Sequence, residues 1–150
     1  MRGLRLGGHP LHPALVHFPV ACWTAAPVLD AVYLLTQDSA WWQAESWCLA
    51  VGVGMGLLAM GAGLLDLMAI PDGHPGEAAA QRHMLLMGSA WSVFVIALVL
   101  HPLRGPASPL QVWTDLGLTL LGFALLTVGA YAGARLVYDF GIGRNPDLRP

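Results

Sequence analysis

S46-W-C-L-A-V-G-V-G-M-G-L-L-A-M-G-A-G-L-L-D-L-M-A-I70 is a nearly unbroken apolar run whose one formal charge is Asp66. A helix crossing the hydrocarbon core of a bilayer needs about 20 such residues, each rising about 1.5 Å. Strands of a soluble core are far shorter. The stretch therefore predicts a transmembrane helix. Three more segments meet the same standard, at about Pro13 to Leu35, Gln81 to Leu100 and Gln111 to Val137. The breaks between the four are polar or rich in Pro and Gly: T36-Q-D-S39, P71-D-G-H-P-G-E77 and H101-P-L-R-G-P-A-S-P109. Such clusters mark loops. Backbone groups in lipid must be bonded within each segment. The expected fold is an all-α integral membrane protein: one antiparallel up-down bundle of four transmembrane helices, with both termini on the same side.

Composition supports this. The 150-residue chain is 56% hydrophobic and 11% charged, where soluble domains carry about 25% charged residues. Net charge is −2, and the seven basic residues are all arginines without a basic tract. Nucleic acid is therefore not an expected partner. The first apolar run exceeds 20 residues, holds Pro19, Pro27 and Asp30, and lacks an A-x-A site. It reads as a retained span rather than a signal peptide.

Four spans return the C-terminus to the side of the N-terminus. Arg2, Arg5, Arg82, Arg135, Arg144 and Arg149 then share that side, against Arg104 alone on the other. By the positive-inside rule the shared side is cytoplasmic. Trp41, Trp42, Trp47 and Trp113 fall on the opposite side as an interfacial aromatic belt. Cys22 and Cys48 are expected at different depths and so not bridged.

The same topology sorts the polar residues. His9, His12, His17, His74 and His83 gather on the cytoplasmic side with Asp66, Arg82, Arg135 and Tyr138; His101 does not. Ionisable groups in spans are costly and usually face the bundle interior. His17 and His83 stand about one turn inside two different helices, the arrangement that a b-type haem takes from bis-histidine ligation. Gly52, Gly54, Gly56, Gly61 and Gly63, with Gly122, Gly129 and Gly133, would admit a flat macrocycle, or simply pack helices as small residues do. Arg82 and Arg135 stand where propionates would lie. His12 would support His17 or face a quinone. Asp66 and Arg135 have the alternative of an ion pair between the second and fourth helices. Asp30 can pair across the bundle or mark a proton or cation path. Pro19 breaks the helical bond to Leu15 and so can turn His17 inward. No C-x-x-C-H is present, which excludes covalent haem attachment. Nor is there a P-loop, G-x-S-x-G or H-E-x-x-H.

These blocks, H9-P-L-H-P-A-L-V-H-F-P-V20, G63-L-L-D-L-M-A-I-P71, R82-H83 and G133-A-R-L-V-Y-D-F-G-I-G143, resemble the bacterial membrane family called domain of unknown function 2231. The resemblance covers nearly the whole chain. It marks His12, His17, Asp66, His83 and Tyr138 as characteristic positions. Gly88 stands where the pattern has a polar amide, and Ala134 replaces the second glycine of a pair. Relatives fused to Rieske or c-type cytochrome modules imply a redox setting, with such a partner here being a separate chain. The leading expectation is a haem b electron-transfer protein or subunit, held by His17 and His83. It would be an electron carrier or oxidoreductase subunit rather than a stand-alone enzyme. The alternatives are a non-haem Zn, Cu or Fe site that adds His9, His12 and His74, and a non-catalytic subunit of a respiratory or photosynthetic complex.

Overall fold

The structure is a computed structural model that describes residues 4–106 and 108–143. Arg2, Arg144 and Arg149 lie outside the described residues. The chain opens with a small hairpin, β1 (Arg5–Leu6) against β2 (His9–Pro10). Gly7 and Gly8 turn it with φ of +57° and +84°, a conformation that glycine adopts without strain. Four helices follow: α1 (Leu11–Thr36), α2 (Ser39–Met68), α3 (Glu77–Leu100) and α4 (Pro109–Tyr138). All four are long and apolar enough to cross a membrane.

The spans were expected in these places, but α2 begins at Ser39 rather than Ser46. The Asp38 carboxylate accepts the Ala40 N–H at 2.9 Å and caps the helix. The segment W41-W-Q-A-E45 is therefore helical and turns Trp42 and Glu45 inward, both buried. Trp42 accordingly does not belong to the aromatic belt. It is 1% exposed, stacks on His101 at 4.1 Å and donates its indole N–H to the Pro102 carbonyl at 2.8 Å. Trp41, Trp47 and Trp113 do stay exposed. α3 starts at Glu77, ahead of Gln81, because three alanines there extend a good helix former.

Each helix packs against the next, and α4 closes back on α1, so α1 and α3 stand diagonally across the bundle. The turn between α2 and α3 shares one end with the N-terminal hairpin and the C-terminal end of α4. We call this the terminal end, and the other the far end. Trp23, Leu49, Phe94 and Leu126 form the centre with Ala26 and Ala97. Trp23 and Phe94 stack on each other, with centroids 4.7 Å apart and planes 5° apart. Each ring enters a notch cut by glycine. A Cβ at Gly52 would overlap the Trp23 indole nitrogen, and one at Gly122 would lie 2.7 Å from the Phe94 ring. Lipid gives helices no hydrophobic drive to associate, so close approach through small residues supplies the cohesion.

These contacts repeat. His12 precedes Trp23 by the same interval as His83 precedes Phe94, and Gly52 precedes Gly63 as Gly122 precedes Gly133. The α1–α2 and α3–α4 hairpins are two copies of one packing scheme, related by a pseudo-twofold axis along the bundle. Trp23 and Phe94, equivalent positions in the two copies, meet at the centre.

Both cysteines are free. The expected difference in depth is nevertheless absent. With α2 starting early, Cys48 lies deep enough for Cys22 to bear on its thiol.

Candidate functional site

A helix carbonyl normally sits under the side chain of the residue four positions on. Where that residue is glycine, the oxygen is open to a neighbour. Gly63 and Gly133 create two such openings. His12 of α1 uses the first, placing Nδ1 2.8 Å from the Ala59 carbonyl of α2. His83 of α3 uses the second, placing Nδ1 2.8 Å from the Gly129 carbonyl of α4. The imidazoles lie directly on the glycines. A Cβ at Gly63 would be 3.0 Å from the His12 Cε1, and one at Gly133 would be 2.8 Å from the His83 Cε1.

The chemistry follows from the partner. A carbonyl only accepts, so in both residues Nδ1 carries the hydrogen and donates. Nε2 then keeps its lone pair. This is the tautomer of a metal-ligating histidine whose other ring nitrogen is anchored to backbone. Both rings are half-buried, and His12 is near enough for its charge to bear on His83. Two anchored imidazoles thus stand on diagonal helices at the terminal end.

The other expected residues are distributed differently. His17 is exposed and does not join His83. It lines an apolar groove on the outer face of α1 with Val16, Val20 and Ala21. Five positions separate it from His12, which at about 100° per residue turns the two side chains roughly 140° apart. Since His12 faces α2, His17 faces out, and the Pro19 break does not reverse that. Asp66 and Arg135 do not pair. Asp66 accepts the Leu4 backbone N–H at 2.9 Å, tying the N-terminal hairpin to α2, while Arg135 bonds Asp139 on its own helix at 2.6 Å. Arg82 and Tyr138 are exposed at the same end. His9 bonds the Gly7 carbonyl, and His74 accepts the Gly76 N–H within its turn. Among the described residues, no group of three or more His, Cys, Asp or Glu side chains is arranged to hold a metal ion.

A second polar cluster, at the far end, was not assembled from sequence. Asp30, Glu45, His101, Asp115 and Thr119 are each 4% exposed or less. The signal that would have found it is the repeat itself: Asp30 and His101 occupy equivalent positions, as do Glu45 and Asp115.

Four membrane-length helices in two matched hairpins, each seating one imidazole on a glycine, define a small multi-pass helical membrane protein. A family model described as a predicted membrane protein, DUF2231, matches residues 8–146, and the chain belongs to that family. No curated protein and no solved structure matches the chain.

Proposed function

We propose that this protein is a haem b electron carrier or electron-transfer subunit, with the iron held between His12 and His83. The observation that carries the reading is the pair of glycine-seated imidazoles, each with Nδ1 anchored and Nε2 free. His83 keeps the role that the sequence assigned to it, and His12 takes the one assigned to His17. Donor count favours a haem over a bare ion. Haem iron takes two axial ligands from the protein, whereas a zinc ion takes three or four. The residues fit the group in their donor chemistry, because each histidine has Nδ1 anchored on a backbone carbonyl and the two come from different helices. Bound there, haem would supply reversible one-electron chemistry. The protein would fix both ligands, and the exposed Arg82 and Arg135 at that end would stand near the propionates.

In this reading, electrons arrive from a membrane quinol or a soluble donor and leave to a separate protein of Rieske or cytochrome c type. The terminal end faces the cytoplasm of a bacterial inner membrane. Arg5, Arg82 and Arg135 support that orientation against Arg104 alone at the far end.

The test is the optical spectrum of detergent-purified protein, oxidised and then reduced, from cells supplied with haem. The expectation is a low-spin b-type spectrum at about one haem per chain. His12→Ala and His83→Ala should lose it and His17→Ala should keep it. A folded, colourless wild-type protein overturns the proposal. A second reading rests on the hydrogen bonds themselves: each histidine clasps its hairpin, as in a structural subunit of a larger complex. Under that reading, the same two variants lower stability in a protein that never bound haem.

A further inference from the structure

We propose that the far end of the bundle contains a proton-binding site shared by Asp30 and Glu45 and framed by Asp115, His101 and Thr119. It takes a proton from water on that side of the membrane. The inference is independent of any cofactor at the terminal end.

Every helix contributes: Asp30 from α1, Glu45 from α2, His101 from the end of α3, Asp115 and Thr119 from α4. Asp30, Glu45 and Thr119 are each fully buried. Carboxyl groups in such a place are normally satisfied by donors or neutralised by a cation. Here part of the set is satisfied and part is not. The His101 Nε2 lies 3.2 Å from the Trp42 carbonyl, which only accepts, so Nε2 carries a hydrogen. The His101 Nδ1 lies 2.9 Å from the Asp115 carboxylate. One proton between those two atoms leaves the His101–Asp115 pair neutral overall, whichever atom holds it. The Thr119 hydroxyl donates to Asp30 Oδ2 at 2.6 Å.

The remainder is unpartnered. Among the described residues, no N–H or O–H points at Asp30 Oδ1 or at either oxygen of Glu45. These two carboxyls belong to one fully buried cluster, near enough for each to bear on the other's charge. Ionised together without donors they would be costly in the membrane interior, and one proton held by the pair relieves that. The His101 Nδ1 stays 3.9 Å from Glu45 and is already engaged with Asp115, so it does not fill that role. Of the other titratable groups, Cys48 lies one turn along α2 from Glu45, and Tyr33 one turn along α1 from Asp30.

Water comes within about one helical turn of the pair. A groove of about 300 Å³ opens at the far end, with Tyr33, Leu34 and Val112 among its walls. These are the residues one turn above Asp30 and Asp115. Tyr33 packs on Trp42, which stacks on His101. A short rearrangement at Tyr33 would expose the pair. Binding adds one proton to a carboxylate to give a carboxylic acid; release returns it to water, and no electron moves.

The test is infrared spectroscopy of the full-length protein in lipid nanodiscs, with hydrogen–deuterium exchange. A buried protonated carboxyl shows a C=O stretch apart from the carboxylate bands, and deuteration shifts it. The wild type should show this band at neutral pH, and Glu45→Gln should remove it. Asp30→Asn, which leaves Glu45 as the only acid of the pair, should shift the band while circular dichroism stays helical. It also serves if the Glu45 variant does not fold. A wild-type spectrum without the band overturns the proposal, as does a band that both variants leave unchanged. Loss of the wild-type band on adding sodium or potassium at fixed pH overturns it in favour of a metal-cation site.

Discussion

Replacing Gly133 with alanine tests the seat of His83 by a single methyl group. The new Cβ would lie 2.8 Å from the imidazole Cε1 and 3.0 Å from Nδ1. The obstacle is a rigid ring held to a backbone carbonyl, so it has no cheap way to yield. Overpacking of this kind costs about 1–3 kcal/mol. If the ring also leaves the Gly129 carbonyl, an interhelical hydrogen bond in a membrane is worth about 0.6 kcal/mol more. Against this, alanine is favoured over glycine within a helix by about 0.5–1 kcal/mol. The net expectation is a loss of about 1–3 kcal/mol. Gly54 provides the control, because nothing lies within 4 Å of a Cβ there. Gly54→Ala should keep only the helix gain, about 0.5–1 kcal/mol. Gly63→Ala, whose Cβ meets His12 at 3.0 Å, should fall between the two. Unfolding in mixed micelles, followed by tryptophan fluorescence, gives all three values. A Gly133→Ala protein as stable as Gly54→Ala would refute the close seating of His83, and with it the geometry on which haem ligation rests.

Further perturbations should behave as follows. Trp23→Ala should lose about 2–3 kcal/mol in the same assay, less than the about 3–5 of a soluble core, because the unfolded helices remain in lipid and only the cavity counts. Trp23→Phe should lose less, since the indole N–H has no acceptor to forfeit among the described residues. Asp115→Ala strands the buried His101 and should cost about 3–5 kcal/mol, with the His101→Ala/Asp115→Ala double variant well below the sum of the singles in a double-mutant cycle. Ser108→Ala removes the cap at the Gln111 N–H and should cost about 1 kcal/mol, read as a lower unfolding midpoint.

The spans were legible because lipid imposes a length and a polarity that few sequences meet by accident. The grouping of histidines at one end was legible for the same reason, since depth follows from counting along a span. Rotation about the helix axis was not. Which of His12 and His17 points inward depends on the phase of α1 against α2, and Gly63 sets that phase from a distant part of the chain. Asp66 and Arg135 share a depth, yet each found a nearer partner. The early start of α2 was hidden because Trp41, Trp42 and Glu45 look like interface residues until Asp38 is recognised as the cap. The far-end cluster was not assembled because Glu45 and His101 fall just outside the expected spans, which left Asp30 able to pair across the bundle but without a named partner. Only the correspondence of Asp30 with His101 and of Glu45 with Asp115 draws them together.

The sharing of that cluster between the hairpins bears on biogenesis. Asp30 and Glu45 leave the ribosome on the first hairpin, while His101, Asp115 and Thr119 are still unmade. For that interval the translocon must release, or retain, a helix pair with two acids and no partner. The first hairpin should therefore linger beside the insertion machinery until α4 emerges. A chain truncated after α2 should be degraded faster than one in which Asp30 and Glu45 are both leucine, a difference that pulse-chase labelling would measure.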